Sequence, residues 1–150
     1  MSKNTKLAPI ALTVTAAAYT SAYCVGGLIT IPVSPVQSTS GRILDAQVNC
    51  AGTQTCTYNL ILFNALPASS TFTDRAAITI NSADFGKVIG ILHLTDVTTV
   101  GGLTVAQTTA DCAKAFSGAS PAFYAVLEVI GTPTYATVND VQLAVGYMPD

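Results

Sequence analysis

A chain of 150 residues with six basic and eight acidic side chains is 9 % charged and 50 % hydrophobic, and its net charge is −2. Ordinary soluble domains are about 25 % charged, so little on this surface opposes association, and no basic excess is present for nucleic acid or anionic lipid. Apolar runs end at about ten residues, short of the roughly 20 that a membrane-spanning helix needs, and the length suits one domain with its own core.

From the N-terminus, Lys3 and Lys6 ahead of Leu7 to Ala18 imitate the basic and apolar parts of a secretory signal. A secreted surface protein is the reading that would follow from it. The period-two alternation of Leu12-Thr13-Val14-Thr15 instead favours extended chain. Residues 1–18 are therefore expected to be an uncleaved extended N-terminal arm, and 19–150 a single β-sandwich domain. The arm would be dispensable for folding and would add a strand to a neighbour's sheet edge.

Strand-length segments rich in β-branched and aromatic residues follow at Leu28 to Val33, Arg42 to Asn49, Thr55 to Ala65, Ala76 to Ile80, Val88 to Leu94, Phe123 to Ile130 and Val138 to Met148. They predict an all-β fold, an antiparallel β-sandwich or jelly-roll-like unit. Leu44, Ala46 and Val48 should share the buried face of their strand, with Asp45, Gln47 and Asn49 opposite. The run from Tyr58 to Phe63 is apolar on both faces and reads as a central strand or one covered by another subunit. Pro32 and Pro35 place Ile31 to Val36 at a strand end or edge. One helical turn is expected at Ser82 to Gly86 and a second near Asp111 to Phe116. The Gly pairs at 26–27 and 101–102 read as turns, and Thr108 to Pro121 as the longest irregular connection.

The inventory for catalysis is thin: one His, one Glu and scattered Asp. His93 lies between Leu92 and Leu94 and reads as an outward strand residue. Glu128 reads as an outward charge or a partner for Arg42 or Arg75. No nucleophile elbow, phosphate loop or dinucleotide fingerprint occurs, and Cys24, Cys50, Cys56 and Cys112 lack zinc-site spacing. The expectation is no enzyme, no metal and no cofactor. Cys50 and Cys56 bracket a five-residue loop and could bridge if oxidised, whereas in a reducing cytosol all four thiols would be free and mostly buried.

Two local stretches, Phe72 to Gly90 and Gly131-Thr132-Pro133-Thr134-Tyr135, together with Leu60-Ile61-Leu62-Phe63-Asn64 and the closing Val141 to Gly146, resemble a family of small tailed-bacteriophage virion proteins similar to capsid decoration, or cement, subunits. The likeness spans about residues 19 to 148 and departs at its cysteines and at Asp111 to Lys114. It implies a β-sandwich on the outside of the phage head, commonly a homotrimer, assembled in the bacterial host cytoplasm and bridging major capsid proteins. It carries over no catalytic residue.

The candidate assembly residues are Ile10, Leu12 and Val14 in the arm, with Pro32, Val33, Pro35 and Val36 at an edge. The rival reading is a jelly-roll head-fibre or receptor- and glycan-binding virion module, with Tyr124, Tyr135 or Tyr147 stacking on sugars.

Overall fold

Period-two patterning resolves into nine strands among the described residues, which in the computed structural model are 5–33, 39–109, 114–118 and 122–150. They are β1 (Lys6–Leu12), β2 (Cys24–Pro32), β3 (Ser40–Ala51), β4 (Thr57–Phe63), β5 (Val88–Val100), β6 (Leu103–Thr108), β7 (Lys114–Ser117), β8 (Ala122–Ile130) and β9 (Val141–Pro149), with one 3-10 turn at Ser82–Lys87. All pairings are antiparallel. The strand order is β1-β9-β3-β6-β5-β4-β8-β2, with β7 attached to β3. The all-β antiparallel expectation holds, in the form of one sheet curled almost into a barrel.

Inward side chains fill that curl. Val25, Ile29 and Ile31 of β2 meet Val48 of β3, Leu60 and Leu62 of β4, Leu127 of β8 and Leu143 and Val145 of β9 in one buried cluster. Each strand contributes alternate residues, as the pleat requires. On β3 the alternation is interrupted: a register shift between Ile43 and Asp45 buries Ile43 and leaves Leu44 only half-buried. Leu44 therefore does not share the face of Ala46 and Val48, because a bulge resets the side-chain phase.

β4 lies between β5 and β8, and its second apolar face is covered from within the chain. Ile61, Phe63, Val126 and Cys24 form a smaller cluster under Phe72, Ile78 and Ile80. These last residues belong to the long β4–β5 connection. Ala76 to Ile80, expected as a strand, contributes only an isolated bridge between Ala77 and Tyr23; its alternating side chains pack down on the sheet without joining its ladder. This connection, not Thr108 to Pro121, is the longest irregular one among the described residues.

Several other expectations change. Residues 6–12 are not a free arm: β1 pairs along its whole length with β9, from Lys6 opposite Tyr147 to Leu12 opposite Val141. The alternation that marked an extended segment also supplies inward residues, and Ala8, Leu12 and Val14 join the core. β6 and β7 were not anticipated. Residues 114–116 of the second expected helical turn fall in β7, while 111–113 lie outside the described residues. Gly101 and Gly102, with φ of 59° and 81°, make the two-residue β5–β6 turn that left-handed glycines favour. Gly26 and Gly27 instead form a bulge, since the β2–β8 register skips from Val25 to Leu28.

Candidate interaction surfaces

The two ends of the strand order, β1 and β2, face each other without forming a ladder. At one end they touch: a Cβ on Gly26 (φ +81°) would lie 3.0 Å from Leu12 Cβ, so a glycine is required for this approach. At the other end the seam opens into an apolar cleft of about 310 Å³, lined by Leu7, Pro9, Ile10, Pro32 and Val33 with Tyr147. Pro9 and Pro32 have no N–H to donate across it, consistent with the confinement of proline to sheet edges. Of the candidate assembly residues, Ile10, Pro32 and Val33 thus meet at one cleft. Leu12, Val14 and Val33 are 5 %, 2 % and 2 % exposed and serve the core instead of a partner. Pro35 and Val36 lie outside the described residues.

The N-terminal segment after β1 is held by one carboxylate. Asp74 accepts hydrogen bonds from Thr15 N at 2.8 Å and Thr15 Oγ1 at 2.7 Å, from the Tyr19 hydroxyl at 2.7 Å and from Gly26 N at 2.7 Å. Arg75 Nε donates to Ala18 O at 2.9 Å. The β4–β5 connection thereby ties residues 15–26 to the sheet. A second carboxylate organises the connection itself: buried Asp84 accepts from Ser69 N (3.0 Å), Ser70 Oγ (2.6 Å) and Lys87 Nζ (2.7 Å). The Lys87 hydrogen bond, then that of Ser70, holds its carboxyl below the usual range.

A buried polar cluster occupies one end of the core. The Tyr58 hydroxyl accepts from Cys56 Sγ at 3.2 Å, donates to Cys50 Sγ at 3.7 Å and lies 2.7 Å from the Tyr135 hydroxyl. Tyr135 stacks edge-on against Tyr19, with centroids 5.0 Å apart. Cys24, Cys50 and Cys56 are free and buried. Cys50 and Cys56, the pair that could bridge if oxidised, are both thiols here and both contact the Tyr58 hydroxyl. Burial pushes the Cys24 and Cys50 thiols to about 11 and raises Cys56 as well, so they remain neutral near pH 7.

Of the tyrosines expected to stack on sugars, two are buried and one is half-buried. Tyr135 and Tyr147 are buried, at 1 % and 3 % exposure, and Tyr124 packs on the smaller apolar cluster. Glu128 finds neither Arg42 nor Arg75: it accepts from Asn59 Nδ2 at 2.9 Å, and Asn59 Oδ1 meets His93 Nδ1 at 2.7 Å. The three form a row across β8, β4 and β5, with His93 exposed.

The rest of the exterior is sparsely charged. A shallow trough of about 460 Å³ lies over β1, β9, β3 and β6, bordered by Gln47, Asn49, Gln107 and Gln142. Sequence reasoning placed Gln47 and Asn49 on the outer face but missed the trough, which needs the pairing of β3 with β9 and β6. Large apolar side chains also stand exposed, among them Val100 at 70 %, Leu7 at 67 % and Phe85 at 62 %. Among the described residues no group of three or more His, Cys, Asp or Glu is placed to hold a metal ion, and no helix is long and apolar enough to cross a membrane. No protein-family model, curated protein or solved structure matches the chain.

Proposed function

We propose that this protein is a non-enzymatic virion structural subunit, a head decoration or cement protein that binds the outside of a phage capsid and bridges major capsid proteins, as a homotrimer. One observation carries the reading: a surface with very few charges leaves Leu7, Phe85 and Val100 more than 60 % exposed, and apolar side chains of that size are normally covered when a partner is present. The resemblance of the Phe72 to Gly90 and Gly131 to Tyr135 stretches to virion proteins supports it.

In this role the subunit contributes buried surface across capsid seams. Contacts of roughly 800 Å² per partner suffice for stable association, and a trimer multiplies them. The strand-addition mechanism for residues 10–15 changes accordingly. One edge of β1 is already used by β9, so attachment rests on exposed side chains and the open seam.

The test is mass spectrometry and cryo-electron microscopy of native particles, with Leu7→Ser, Phe85→Ser and Val100→Ser subunits added back to particles lacking the protein. Copy numbers matching capsid symmetry, reduced by these substitutions, are expected. A monomer absent from every particle would remove the proposal.

A further inference from the structure

The outer face of the sheet carries a trough whose chemistry is set by three cross-strand rows. Register places Leu7, Gly146 and Asp45 in one row, Pro9, Ala144, Gln47, Gln107 and Asp96 in the next, and Ala11, Gln142, Asn49 and Val105 in the third. The β9 positions Ala144 and Gly146 are small, so they form a floor between the aliphatic wall of Leu7 and Pro9 on β1 and the polar wall on β3. Those walls are two strand spacings apart, about 10 Å. Gln142 stands on the floor's third row. A side chain at Gly146 would run into the Asp45 carboxylate, which lies over this end of the floor.

We infer that this trough is a binding site for a neutral saccharide. Sugar hydroxyls both donate and accept, and a carboxamide presents both functions side by side. Four carboxamides line this trough, with Asp45 as a further acceptor. Two of the amides are oriented by neighbours, which leaves their remaining groups directed for a ligand: Gln47 Nε2 donates to Asn49 Oδ1 at 2.7 Å, and Gln107 Nε2 to Asp96 Oδ2 at 2.9 Å. Gln47 Oε1, Asn49 Nδ2 and Gln107 Oε1 remain for hydroxyl groups, while Pro9 and Leu7 offer an apolar wall to the C–H face of a pyranose ring. No Lys or Arg lines the trough and one carboxylate does, which disfavours phosphate and acidic sugars. A peptide strand fits less well, because the backbone groups of the floor strand β9 are consumed in its ladders to β1 and β3.

This amide platform lies on a different face from the tyrosines that the rival sequence reading assigned to sugars. The inference does not rest on the capsid reading: Leu7 borders both surfaces, but particle occupancy and saccharide binding are measured separately.

The experiment is a titration of ¹⁵N-labelled protein with maltotriose, cellotriose and chitotriose, followed through the side-chain amide resonances of Gln47, Asn49, Gln107 and Gln142, with 3′-sialyllactose as the acidic control. At least one neutral sugar is expected to shift these resonances saturably. Gln47→Ala and Gln107→Ala should each weaken binding about tenfold, the loss of one good hydrogen bond, at unchanged melting temperature. Ala144→Trp, which fills the floor, should abolish it. The proposal is overturned if none of the three sugars moves these resonances, if the Gln→Ala variants bind as well as the parent, or if sialyllactose binds more tightly than all three.

Discussion

The hydroxyls of Tyr58 and Tyr135 lie 2.7 Å apart in the core, 77 residues apart in sequence, and the thiols of Cys50 and Cys56 close around the same oxygen. A polar group this deep is tolerated because every partner is satisfied, and no buried side-chain N or O among the described residues lacks a hydrogen bond. Tyr58→Phe removes the shared oxygen and leaves the Tyr135 hydroxyl without it. The expected loss is about 1 to 3 kcal/mol, read by urea denaturation, and a Tyr58→Phe protein as stable as the parent would show that the cluster is dispensable.

The same burial sets an alkaline limit. Burial, and secondarily the hydrogen bond to Asp74, raises Tyr19 to about 12, and burial raises Tyr58 and Tyr135 further. A phenol whose folded pKa exceeds its unfolded value, about 10, contributes stability that is intact below pH 10 and lost as pH rises toward the folded value. Stability should thus fall above about pH 10. Absorbance titration at the phenolate band should show these three ionising only together with unfolding.

Asp84 gives the opposite dependence at the acid end. Its folded pKa is lowered, so its contribution is present above the unfolded value, about 3.9, and is lost as pH falls through the lower folded value. Amide exchange at Ser69, which donates to this carboxylate, should accelerate over that window. In Asp84→Asn the exchange should already be fast at neutral pH, and its acid dependence should disappear.

Most of the strand positions were legible because period-two alternation survives in the residues themselves, as in Ala46, Val48 and Cys50 against Gln47 and Asn49. Non-local pairing was not legible. Asp74 looks like any loop carboxylate until Thr15, Tyr19 and Gly26 converge on it, and Phe72, Ile78 and Ile80 alternate as a strand would while lying on the outside of β4 and β8. β6 escaped notice because Leu103 to Thr108 is short and carries only two large apolar residues, Leu103 and Val105. The trough escaped for a related reason: its floor is defined by what Ala144 and Gly146 lack.

Convergence on Asp74 makes it the residue on which the 13–27 segment depends. Asp74→Asn keeps the shape but replaces a carboxylate accepting from Thr15, Tyr19 and Gly26 with a weaker acceptor that carries donors of its own. Hydrogen bonds to charged groups contribute about 1.5 to 3 kcal/mol each, and part of this is recovered from water at so half-exposed a site. Hydrogen exchange should rise selectively at residues 13–27 while the amides of β4 and β8 stay protected. Uniform loss of protection across the sheet would mean that the carboxylate supports the whole fold instead.

β1 itself is the last case, and here the structure reverses the expectation for a dispensable arm. Removing residues 1–14 deletes the ladder to β9, withdraws Ala8, Leu12 and Val14 from the core and exposes β9 as a new edge, which is an aggregation hazard. Leu12→Ala alone should cost about 2 to 3 kcal/mol, the lower range for a buried leucine, since its site is at an edge strand. The truncated protein should therefore lose its cooperative thermal transition or aggregate, and a truncated protein that melts like the parent would show that β1 is only docked. Weakened particle attachment after truncation would accordingly report misfolding, whereas Leu7→Ser alters a side chain that is 67 % exposed, leaves the β1 ladder in place and reports the contact itself.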